Sequence, residues 1–135
     1  MSAAYWRIVD SVEFPLLVTK GLDGFPQARP MTVLCRDGTT LWFATSQRSA
    51  KLTQIAQDPR VTVLFASTER FDYAALHGRA EVAEDETRRN SYWRETWRDD
   101  WPAGPADEDY VLLKVVGERG TYYDGRTGKT GEVDL

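Results

Sequence analysis

The chain has 135 residues, 17 basic and 21 acidic side chains, one cysteine and one histidine, with a net charge of −4. That length predicts one domain with one core, and the scattered basic residues argue against a nucleic-acid footprint. A single cysteine, Cys35, excludes an internal disulfide, and with His77 as the only imidazole no Cys/His cluster has metal-ligand spacing, so no metal is expected.

Residues 1–14 lack the cationic and apolar regions of a secretory leader, and no stretch approaches a membrane span, so a reducing cytoplasm is the expected compartment. From Ser2, an expected N-cap, the spacing of Ala4, Ile8, Val9 and Val12 predicts a short helix. Leu16 to Lys20 reads as a strand, Gly21 to Gly24 as a turn, and Gln27 to Cys35 as a second strand. Asp37-Gly38 predicts a tight hairpin that folds Leu41 to Thr45 back beside Pro30 to Leu34 and brings Thr45 toward Arg29.

Arg29 stands in an apolar alternating strand, where a guanidinium is costly unless it is exposed or meets a carboxylate or phosphate. Past Thr45, the run Ser46-Gln47-Arg48-Ser49 leads into a helical pattern over Ser49 to Gln57, with Lys51 in its first turn. Hydroxyls and free amides at a helix start attract anions, and a cation there opposes the helix dipole unless an anion joins it. Arg29, Thr45, Ser49 and Lys51 thus form a candidate anion site, best matched to a terminal phosphate. The competing reading is that both cations are ordinary solvated charges.

Asp58-Pro59 ends the helix, and Val61, Val63 and Phe65 mark a central strand. Tyr73 to Val82 is another, with a bulge expected at His77-Gly78. His77 has no carboxylate beside it in sequence, so a structural or interface role outweighs catalysis. Asp85 to Arg98 reads as a helix with Trp93 and Trp97 on one face, a core stripe in the simpler reading and a ligand cover in the other; Trp101 follows in a Pro/Gly-rich loop. Tyr110 to Val116 and Thr121 to Tyr123 are two further strands, while 124–135 reads as a mobile tail. Cys35, inside an apolar strand, is expected to be buried and inert.

Six or seven strands joined mostly by short turns, with three short helices, predict a mainly β fold: an antiparallel, closed or partly closed barrel flanked by helices, over 13–123 of a single domain 1–135. No dinucleotide, P-loop, GxSxG or HExxH signature occurs.

The motifs Arg29-Pro30-Met31, Leu41-Trp42-Phe43-Ala44-Thr45, Ser49-Ala50-Lys51 and Asp58-Pro59-Arg60-Val61 resemble the FMN-binding split barrel of the pyridoxamine 5'-phosphate oxidase superfamily, nearest its general-stress-protein branch. The likeness continues through Leu76 to Val82 and Trp101 to Asp107. It implies a split β-barrel homodimer with an FMN at each of two interface sites, acting on a small-molecule redox substrate. It also implies that Arg29, Lys51 and Ser49 hold the FMN phosphate and that the backbone of Pro30, Met31, Thr32, Phe43, Ala44 and Thr45 flanks the ring and ribityl chain; Trp101 and His77 are the candidates to cover the flavin or to lie at an interface. Where the vitamin-forming oxidases carry a second base before the lysine this chain has Ala50, which implies either weaker phosphate binding or a shift of that load to Arg48. Those oxidases end in a substrate-gripping Arg and His segment; this chain ends Tyr122 to Lys129 and beyond without it, which argues against oxidation of pyridoxamine phosphate. The resemblance leaves open an oxidoreductase or a non-catalytic flavin-binding, sensing or storage protein, with a deazaflavin or haem-like ligand as a further option.

Overall fold

The computed structural model describes residues 2–135. Helix α1 (Ala3–Ser11) starts at the expected cap, with Ser2 Oγ accepting from the Tyr5 amide at 3.1 Å. Its buried face is Tyr5, Ile8 and Val9. Tyr5 lies wholly in the core because its hydroxyl donates to Ala75 O at 3.1 Å, so no polar atom is stranded.

Strand β1 (Leu16–Lys20) has the predicted bounds and pairs with β2 (Pro26–Pro30). The second strand stops at Pro30, however, and does not run on to Cys35. Residues 31–34 instead cross between two sheet edges: Met31 and Val33 donate to Pro15 O and Glu13 O at 2.9 and 3.2 Å, while Leu34 donates to Trp42 O at 2.9 Å. The predicted hairpin is present, but only β3 (Cys35–Asp37) pairs with β4 (Thr40–Ser46). Gly38 makes its turn at φ +62°, a conformation that glycine adopts without strain.

Helix α2 (Ala50–Gln57), strand β5 (Arg60–Ser67) and strand β6 (Asp72–Ala83) follow, with the register shift of β6 at His77/Gly78 as expected. A Cβ on Gly78 would fall 2.1 Å from Val116 O, so the bulge requires glycine. Helix α3 (Glu86–Tyr92) is shorter than predicted, and a separate 3-10 turn covers Glu95–Trp97. The last two predicted strands are one, β7 (Tyr110–Asp124).

The expected mobile tail is strand β8 (Lys129–Asp134), paired with β7 from Arg119 to Asp124. Only Val133 of β8 is buried, so the sequence carries little apolar alternation to announce it. Its turn is tied instead by backbone bonds, including Gly128 N to Asp124 O at 2.8 Å.

All eight strands form one antiparallel sheet in the order β2-β1-β5-β6-β7-β4-β3, with β8 also on β7. One edge of β7 belongs to β6; the other is shared by β4 and then β8. Among the described residues β2 and β3 do not pair, so the barrel is split rather than closed. Leu17, Phe43, Val63, Phe65, Leu76 and Leu113 fill its interior.

Candidate functional site: a cationic corner beside an aromatic cleft

Arg29 pairs with Leu17 across β1 and β2. Its Nη1 donates to Leu17 O at 3.2 Å and Thr19 Oγ1 at 2.9 Å, and its Nη2 donates to Gln54 Oε1 on α2 at 3.2 Å. A guanidinium has five N–H donors, so Nε–H and one Nη2–H remain for another acceptor. Lys51 Nζ donates to the buried Thr45 Oγ1 at 2.8 Å, and Ser49 Oγ lies 3.4 Å from the same oxygen. Ser49 is the N-cap of α2, yet its hydroxyl makes no capping bond and faces Thr45 instead. The predicted hairpin therefore delivers Thr45 to Lys51, while Arg29 meets Thr19 and Gln54.

The corner holds two cations and no compensating carboxylate. Among the described residues, neither Arg29 nor Lys51 forms a salt bridge. Burial lowers the pKa of Arg29; burial, and then the field of Arg29, lowers that of Lys51. An arriving anion would relieve both effects. Arg48, expected to share this load, turns away to Asp109, with Nε 3.2 Å from Oδ1.

Pro30 and Ala44, the chain neighbours of Arg29 and Thr45, enter a cleft of about 260 Å³, lined by Pro30, Met31, Thr32, Leu34 and Ala44 on one side and by Trp97, Asp100 and Trp101 on the other. The structure thus brings Trp101 to the residues expected to flank a flavin. Phe43 and Thr45, expected with them, do not line it; the Phe43 side chain is fully buried in the core. β3 pairs with β4 only as far as Trp42, which leaves that edge of β4 without a partner strand from Phe43 to Thr45.

Trp93 and Trp97 do not share a helix face, because α3 ends at Tyr92 and Trp93 is extended at ψ 137°. They meet through tertiary packing: Trp93, Trp97 and Trp101 lie 5.3, 5.8 and 5.2 Å from the ring of Tyr110. Tyr110 is fully buried and donates to Arg89 O at 2.8 Å, and Arg89 in turn donates to Pro105 O at 2.6 Å and Asp107 O at 2.5 Å. That network fixes the loop that carries Trp101, whose Nε1 donates to Asp109 Oδ2 at 3.3 Å. Core packing and cleft lining are combined in Trp97 and Trp101, whereas Trp93 only packs.

His77 lies elsewhere, in a cleft on the outer face of the barrel, with Nδ1 2.9 Å from Thr62 Oγ1. Burial first, and then Arg119, lower its pKa. Cys35 is half-buried rather than buried, packed against the Trp42 cluster near Tyr92. Among the described residues no group of side chains could hold a metal ion, and no helix is long and apolar enough to cross a membrane.

Two residues of the corner escape a reading for charge. Gln54 follows Lys51 by three positions on one helix face, and Thr19 sits on the inward side of β1 after Leu17; a polar residue at an inward position was the available signal.

The split barrel recurs in solved structures. General stress protein 26 of Bacillus anthracis is 26% identical, with a TM-score of 0.80 over 98% of this chain and 96% of that one. A protein related to general stress protein 26, from Clostridium acetobutylicum, is 23% identical, with a TM-score of 0.81 over 96% and 90%. A pyridoxamine 5'-phosphate oxidase-related, FMN binding protein of Nostoc punctiforme is 17% identical, with a TM-score of 0.73 over 98% and 92%. No curated protein sequence matches the chain. The family described as pyridoxamine 5'-phosphate oxidase like matches residues 2–133, nearly the whole length, and the chain belongs to that family.

Proposed function

We propose that this chain is an FMN-binding oxidoreductase that works as a homodimer and passes electrons from a reduced donor to a small organic acceptor. The observation that carries the reading is the pair of desolvated cations, Arg29 and Lys51, held by neutral oxygens only. A terminal phosphate supplies the missing negative charge and three acceptors. Charge-assisted bonds contribute on the order of 1.5–3 kcal/mol each. Two or three of them provide about half of the roughly 8 kcal/mol that micromolar binding requires. Support also comes from the fold shared with a protein described as FMN binding.

In this reading Arg29 and Lys51 hold the phosphate, and the hydroxyls of Ser49 and Thr45 orient it. The backbone of Pro30, Met31, Thr32, Phe43, Ala44 and Thr45 flanks the ring and ribityl chain, while Trp97 and Trp101 exclude water from the cleft. FMN, when bound, supplies the hydride and electron transfer. A second copy would cover exposed apolar side chains such as Phe14 and Phe71, at 60% and 76%.

A non-catalytic flavin-binding or sensing role is the second reading. It is favoured by a cleft whose only titratable side chain is Asp100. One purified sample separates the two: flavin absorption that bleaches anaerobically with reduced nicotinamide and returns with a quinone or nitroaromatic acceptor supports the enzyme. Stable colour without turnover supports the binding module. Failure to take up added FMN contradicts both.

A further inference from the structure

The outer face of the barrel carries a second cleft, of about 370 Å³, which the flavin reading does not use. Three cations line it, Lys20, Arg60 and Arg119, against one carboxylate, Glu118. Glu118 is already engaged by Arg79 at 2.9 Å, and Arg60 by Asp58 at 2.8 Å. Among the described residues, Lys20 and Arg119 have no salt-bridge partner. The cleft is therefore a cationic patch on a chain whose net charge is −4.

Register explains why these groups converge. Val18, Thr62, His77 and Arg119 are successive cross-strand neighbours on β1, β5, β6 and β7, so their side chains form one row on the outer face. The contact between Thr62 Oγ1 and His77 Nδ1 fixes the imidazole. In the tautomer where the hydroxyl donates to Nδ1, Nε2 carries the proton and can donate to a ligand. Val18, Val61 and the backbone at Gly78 add an apolar surface between the charges.

We propose that this cleft binds a small organic oxyanion, a carboxylate or phosphate monoester with an apolar body, held by Lys20 and Arg119 with His77 donating through Nε2. The site adjoins the Arg29 and Lys51 corner at Thr19, which lines the cleft and accepts from Arg29, but it uses neither of those cations and does not depend on the flavin reading.

His77 is the only histidine in the chain, so its imidazole NMR signals report on this cleft without assignment ambiguity. The probes are phenyl phosphate, benzoate and phenol. Saturable movement of the His77 signals with either anion, but not with phenol, is the expected result, and the tighter of the two anions assigns the class. Both Lys20 and Arg119 are exposed. Lys20→Gln and Arg119→Gln should each weaken binding roughly tenfold, the loss of one charge-assisted bond. Either variant suffices if the other fails to fold. Lys51→Ala should leave the titration unchanged, whether or not the protein takes up FMN. Equal movement with phenol, no saturable movement, or loss of the effect in Lys51→Ala would overturn the proposal.

Discussion

Arg7 and Arg29 are both partly withdrawn from water, and the groups around them differ in charge. Arg7 lies 3.6 Å from Asp72 and 3.3 Å from Asp124, two carboxylates that are themselves buried. Asp72 also accepts from Gly125 N at 2.7 Å, so the cluster ties α1 to the start of β6 and the end of β7. Among the described residues, Arg29 has only the oxygens of Leu17, Thr19 and Gln54, and its neighbouring cation Lys51 has only Thr45. A charge compensated within the chain holds the fold together. One left uncompensated beside a cleft is free to hold something else.

The sharpest way to break this contrast is to remove a carboxylate from the first region. Asp72→Ala should lower stability by about 2–4 kcal/mol in denaturant melts, the loss for a broken buried pair discounted for the partial exposure of Arg7. FMN affinity should be unaffected. A smaller and opposite effect is expected in the second region. Lys51→Met, in flavin-free protein, removes a desolvated cation that faces another, and should leave stability unchanged or raise it by up to about 1 kcal/mol. A clear loss of stability would make Lys51 a structural residue and erase the contrast.

The smallest effect is a pH dependence. Lys51 has a pKa below its ordinary 10.5 in the folded, flavin-free protein. The unfolded chain therefore binds this proton more tightly, and the stability of the flavin-free protein should rise with pH between the lowered value and 10.5. Binding a phosphate favours the ammonium, so FMN binding takes up a proton, and FMN affinity should fall as pH rises through the lowered value. Riboflavin, without the phosphate, should show no such slope. Calorimetric titrations of both ligands across alkaline pH check the sign.

Features set by neighbours in sequence were legible before the structure. Ser2 as a cap, Leu16 to Lys20 as a strand, the turn at Gly38 and the bulge at His77/Gly78 each depend on a few adjacent residues. What was missed depends on distant partners. Residues 31–34 look like strand but bond to Pro15, Glu13 and Trp42, and β8 looks irregular because pairing with β7, rather than an apolar face, orders it. The tryptophans four apart suggested a helix stripe, whereas Tyr110 supplies the platform that gathers them. The same division runs through the candidate site. Arg29 and Lys51 were conspicuous as cations in apolar or helix-start positions; Gln54 and Thr19, neutral and ordinary in sequence, acquire a role only when β1, β2 and α2 meet.

The most direct test of the cationic corner compares two ligands that differ by a phosphate. FMN and riboflavin are titrated against the unaltered protein, Arg29→Ala and Lys51→Ala by flavin fluorescence quenching. Each substitution should weaken FMN by roughly 10- to 100-fold, the range for losing one charge-assisted bond, and change riboflavin by less than about twofold. Equal losses for both ligands, or no loss for either, would contradict a phosphate held by Arg29 and Lys51.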